Sequence, residues 1–252
     1  KRSMALRRFF NLFVALILFG CSFEQDEKIN YEAEFYSIVS EFEKSSILNF
    51  DRKDIDKEIF IEQFILKLDK QKNTFLQEDF NTFRETANNQ TKSNYQQLKD
   101  VVDLYYLRYE EALKTRRQYL NNFDFNYNKI EKINLKPRDS FFQNKEEKQD
   151  YQRRIVKNEL INLLLEDKNN FEAKSELKKT YTNRLSSISK IRESDRFGIL
   201  ANNFLSMLDP HASYFSKRDL ENWNLRMNLS FEGIGAILSY EEEKAKIQEL
   251  MP

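Results

Sequence analysis

With 252 residues the chain is long enough to bury a substantial core, and 41 Lys plus Arg balance 41 Asp plus Glu, so no global field recruits nucleic acid. A single Cys and a single His exclude an internal disulfide and a Cys/His zinc site, and neither a metal nor a cofactor is expected. Four glycines and three prolines against 33% charged residues point to long, polar-faced helices with few tight turns.

The opening "KRSMALRRFFNLFVALILFGCS" passes from basic residues into an apolar run from Phe9 to Phe19, broken by Asn11. A membrane-spanning helix needs about 20 apolar residues and a signal-peptide core about 7 to 15, so residues 1–21 are expected to be an export signal. "LFGC", Leu18 to Cys21, resembles a bacterial lipoprotein processing box, with Phe19 bulkier than the small residue usual there. Cys21 is then the expected lipidation site, and the membrane is met only through the signal or a lipid anchor. The alternative is an ordinary cleaved signal that leaves the protein soluble in the same compartment. Lys1 stands where a start methionine would, so the chain is expected to be either a fragment or to start at Met4.

From Tyr31 to about Asn224 the periodicity is helical. Leu98, Val101, Val102, Tyr105, Tyr109, Ala112, Leu113, Arg116 and Leu120 recur at three- and four-residue steps, behind a Ser93 and Gln96 capping box. A second stripe runs through Val156, Leu160, Leu163 and Leu164, and a third through Ile199, Phe204, Leu205 and Leu208 behind a Ser194 cap. No repeat and no Gly/Ser linker separates them, so the expected fold is mainly α, one irregular multi-helix bundle. The polar segment from Asn134 to Asp150, with Pro137, is the expected long exposed loop.

In "LDPHASYF", Leu208 to Phe215, Pro210 biases Asp209 away from the helical region and ends the helix at Leu208. His211 is read as a turn residue, since the sequence singles out no nucleophile or orienting group for it to serve. From Met227 the pattern alternates through "MNLSFEGIGAILSY", so short β-strands are expected at the C-terminus. The glycines of "GIGA" fit either a bulge in an edge strand or a loop whose backbone N–H groups converge on a terminal carboxylate.

"LDPHASYFSKRDLENWNLRMNLSFEGIGAIL" resembles the junction between the helical domain and the PDZ domain of the tail-specific proteases, the carboxy-terminal processing peptidases of the bacterial envelope. "FILKLDKQKNTFLQEDFNTF", Phe64 to Phe83, is similar to an early segment of that family, with Lys70 where a proline is common. "YEEALKTRRQYLNNFDF" and "YQRRIVKNELINLLL" resemble the helices that follow, in the same order. Behind the signal peptide expected over 1–21, the resemblance implies a helical amino-terminal domain over 22–225 and an incomplete PDZ domain over 226–252. It also implies a periplasmic serine endopeptidase that recognises substrates by their C-terminal tails, and an envelope lipoprotein adaptor as a further partner. Gly233, Ile234, Gly235 and Ala236 become the expected tail-binding residues. The catalytic serine and lysine of the family lie beyond its PDZ domain, so no catalytic residue is expected in this chain and it should be inactive alone. The rival expectation is a non-catalytic envelope lipoprotein, in which the bundle serves as a scaffold or adaptor.

Overall fold

The computed structural model describes residues 29–46, 56–88, 92–134, 136–227, 236–241 and 244–250. Within these the chain forms helices α1 (Tyr31–Ser45), α2 (Lys57–Leu68), α3 (Gln77–Thr86), α4 (Asn94–Asn122), α5 (Lys145–Leu165), α6 (Asn170–Ser189), α7 (Glu193–Leu208) and α8 (Lys217–Met227). Strands β1 (Ala236–Glu241) and β2 (Lys244–Leu250) follow as an antiparallel hairpin. The chain is mainly α, as its periodicity predicts.

Helix starts are set by side chains that satisfy the otherwise orphaned first N–H groups. The Asn30 side chain accepts from Ala33 N–H, and Asp56 Oδ1 accepts from both Glu58 and Ile59. Ser93 Oγ accepts from Gln96 N–H at 3.2 Å, as expected, but the reciprocal half of the box is missing because Gln96 Nε2 turns instead to Asp100. Ser194 is not a cap. α7 begins at Glu193, two residues earlier than a Ser194 cap would set it, behind Arg192, whose N–H is accepted by the Asp195 carboxylate at 3.2 Å.

The 29-residue α4 is the spine, about 44 Å long at 1.5 Å per residue. It packs against α1, α2, α5, α6 and α7. Its predicted stripe is the buried face: Leu98, Val101, Val102, Ala112, Leu113 and Leu120 are all buried, while Tyr105 and Tyr109 pack half-buried at its edge. Val156 and Leu160 of α5 and Phe204 and Leu205 of α7 meet the same core. Most of the stability of such helices comes from this shared burial and not from propensity.

The connection between α4 and α5 departs from expectation. α5 begins at Lys145, so the polar segment from Asn134 is helical in its last part. Two phenylalanines inside it, Phe141 and Phe142, are buried, and Phe142 forms a parallel bridge with Leu76. Earlier in the same connection, Glu131 accepts from Arg153 and Lys157 of α5. Those two cations hold its carboxyl down to about 2. The segment is therefore a strap pinned to the bundle at both ends.

The hairpin pairs Glu241 with Lys244 and carries a register shift, where Ile237 faces Glu249 but Leu238 faces Ile247. Gln248 is the extra residue of this β-bulge. The predicted bulge at Gly233 to Gly235 lies outside the described residues.

Candidate functional site

Asp209 and Pro210 do what the sequence demands of them. Asp209 N–H closes the last turn of α7 onto the Leu205 carbonyl, and Asp209 Oδ1 then accepts His211 N–H at 2.8 Å. His211 is exposed, and the local hydrogen bond of this turn is made by its backbone.

Beyond the turn the chain runs back along α7, and a side chain takes the place of a neighbouring strand. The Asn202 carboxamide accepts Tyr214 N–H at 2.8 Å and donates to the Tyr214 carbonyl at 3.2 Å. The Tyr214 hydroxyl reaches 180 residues back in the chain to donate to Glu34 Oε1 of α1 at 2.5 Å. Its ring meets Phe197 edge-on at 5.3 Å. Burial, followed by the hydrogen bond to Glu34, raises the tyrosine pKa, so the hydroxyl stays a protonated donor. Tyr214 thus ties the exit of the bundle to its entrance.

Between α1, α7 and this segment lies a cleft of about 900 Å³. One rim is charged, with Arg192 donating to Asp195 at 2.8 Å and Arg218 near the same carboxylate at 3.8 Å. The α7 wall is opened by Gly198, where an added Cβ would meet nothing within 4 Å. Glycine in mid-helix costs roughly 0.5–1 kcal/mol relative to alanine. Here no close packing requires it, so its effect is to keep the cleft wall flat. Gly198→Ala is accordingly expected to stabilise the chain by about 0.5–1 kcal/mol, raising Tm by roughly 1–4 °C in a thermal melt. A lowered Tm would mean that the backbone at 198 departs from the helix described.

Of the cleft's serines, Ser216 donates to Asp219 at 2.6 Å in a cap for α8, and Ser206 donates to the Asn203 carbonyl at 3.1 Å. A nucleophilic hydroxyl needs an adjacent base that is itself oriented by a third group, whereas Asp219 sits in the first turn of α8 and exchanges hydrogen bonds with its cap, Ser216. Among the described residues no cluster of three or more His, Cys, Asp or Glu could hold a metal ion. No helix among them is long and apolar enough to cross a membrane.

Of the residues singled out in the sequence, Ala236 opens β1 and is partly exposed. Gly233, Ile234, Gly235 and Cys21 lie outside the described residues. Glu34, Asn202 and Tyr214 escaped sequence reasoning, because partners 12 and 180 residues apart leave no periodic trace. Gly198 did leave one, as the lone glycine inside a helical stripe.

Two comparisons with known proteins bear on this arrangement. Residues 38–218 match the family model described as the tail specific protease N-terminal domain. The chain is also 31% identical over 209 residues to a protein of Haemophilus influenzae named tail-specific protease, an alignment covering 79% of this chain and 29% of that relative. The chain therefore spans less than a third of the relative's length.

Proposed function

The chain belongs to the tail-specific protease family, and from that premise we propose that it is the helical amino-terminal part of a periplasmic serine endopeptidase that engages proteins by their C-terminal tails. The match over 38–218 carries this reading, since it runs from within α1 through α7 and ends at the start of α8. In this reading the bundle encloses substrate, the cleft beside Tyr214 contacts the chain being held, and residues 226–252 open the PDZ domain. Gly233 to Ala236 are its carboxylate loop, where glycine lets backbone N–H groups approach the tail without steric cost. The serine and lysine that cut the substrate belong to the portion of the protease beyond this chain. Cys21, once lipidated, holds the enzyme at the membrane, where an envelope lipoprotein can present substrates to it.

The experiment is a digestion followed by mass spectrometry, with the full-length protease and with this chain alone. The full-length protein is expected to cleave a substrate bearing a free apolar tail and to cleave its amidated form about tenfold less well, the loss of a hydrogen bond to charge. The chain alone should leave both intact. Equal cleavage of the two forms, or cleavage by the isolated chain that vanishes when one of its own serines is replaced, would overturn the reading.

A further inference from the structure

A second cleft, of about 290 Å³, opens between α4 and the first turns of α5. Lys148 and Gln152, one turn apart on α5, both line it, yet they are 7% and 1% exposed. Lysine this deep needs partners. Its ammonium donates to the carbonyl of Thr74 and, at 3.4 Å, to that of Arg108. An ammonium carries three donors, so one is left over. The Gln152 Oε1 accepts from Arg116 Nε at 2.6 Å, which fixes the amide's orientation, and its Nε2 has no partner among the described residues.

The surrounding charges do not supply what is missing. Arg108 and Glu111 are paired at 3.0 Å, and Arg108 also grips Asp79 at 2.7 Å. Lys114, paired with Glu110 at 2.7 Å, and Lys145 also line the cleft, and Leu76 and Ala112 give it an apolar side. The buried donors in it that lack an acceptor are those of Lys148 and Gln152. Desolvation, then the charge of Arg108, pull the Lys148 pKa down to about 8, which is what a buried ammonium short of an anion should show.

We propose that this cleft is a carboxylate-binding site, in which the ligand's two oxygens accept from the free Lys148 and Gln152 donors and its apolar remainder lies against Leu76 and Ala112. One buried ammonium beside a neutral amide matches a single negative charge, so a carboxylate suits it better than a phosphate dianion. The volume stands at the small end for ligand sites, which run from about 300 Å³. It admits the last residue of a peptide or a small free acid. The site lies in the helical domain, away from Gly233 to Ala236, and its argument does not depend on the protease reading.

The test uses this chain with ¹³C-labelled lysine, following the Lys148 Cε resonance through a pH titration, assigned by its disappearance in Lys148→Met. Acetyl-Leu-Ala-Ala as the free acid should move the Lys148 midpoint from about 8 back toward the ordinary lysine value, and the same peptide amidated should not. Sodium acetate matching the peptide identifies a small-acid site, and acetate failing where the peptide succeeds identifies a chain-end site. Inorganic phosphate moving the midpoint while no carboxylate does would overturn the proposal. So would identical behaviour of acid and amide, a comparison that needs no variant to fold. In Gln152→Leu, with helicity retained, peptide affinity should fall about tenfold, and an unchanged affinity would remove Gln152 from the site.

Discussion

Asp69→Ala is expected to destabilise the chain by about 3–5 kcal/mol, among the largest effects of any single polar substitution in it. Asp69 is 3% exposed at the end of α2, yet it is not stranded. Its Oδ1 accepts Asn73 N–H at 3.1 Å, and its Oδ2 accepts Thr74 and Phe75 N–H at 2.9 and 3.1 Å. These bonds close a tight turn in which Lys72 adopts a positive φ of 52°, an uncommon conformation for a non-glycine residue. The turn in turn delivers the fully buried Phe75 to the core and the Thr74 carbonyl to Lys148. Alanine would leave three backbone donors unpaired in or near the core, each at the full cost of its desolvation. Asp69→Asn keeps one acceptor oxygen and should fall between alanine and the parent. Urea unfolding followed by circular dichroism measures both. An alanine midpoint equal to that of the parent would show that water reaches the turn and satisfies it.

Phe142→Ala should cost about 3–5 kcal/mol, the range for emptying an aromatic site in a packed core. Phe142 is fully buried, lies 5.3 Å from the Tyr151 ring and carries the Arg138 guanidinium 4.1 Å above its face. Its carbonyl also accepts Gln77 N–H at 2.8 Å, so the strap between α4 and α5 is fastened through this residue to the start of α3. The contrast is Ile130, 93% exposed in the same connection, whose replacement by Ala should change stability by less than about 0.5 kcal/mol. Equal effects from the two would mean that the strap is solvated throughout.

These residues also mark how far the amino-acid pattern could be followed. The stripes of α4, α5 and α7 were legible because burial repeats with the helical period, and the end of α7 was legible because proline acts on its immediate neighbour. Phe141 and Phe142 were not, since two apolar residues amid Asn, Lys, Arg, Asp and Ser carry no period, and tertiary contacts draw them inside, Phe142 by its bridge to Leu76 and Phe141 against the Phe75 and Phe80 rings. The cap at Ser194 failed for a related reason: Arg192 and Asp195 form a competing arrangement that a preference for serine at helix starts does not anticipate. The polar ties are the least visible of all. Lys148 to Thr74 spans 74 residues and Tyr214 to Glu34 spans 180. Resemblance reached further, because "LDPHASYF" and Phe64 to Phe83 are the segments that contain Tyr214, Asp69 and Asp79, although nothing local to them says what those side chains hold.

The most direct test of the proposed role is whether substrate lies in the cleft beside Tyr214 while the protease works. Ser213 lines that cleft and is exposed, so a photo-crosslinking p-benzoylphenylalanine placed there in the full-length protein, with the proposed catalytic serine replaced, should capture a protein bearing a free C-terminal tail. The same probe at Leu165, 77% exposed and outside the cleft, should not. Adducts from position 213 that are lost when the substrate's tail is removed are the predicted result. No adduct at 213, from an enzyme whose active form still cleaves that substrate, would contradict a substrate-holding role for the helical domain at this cleft.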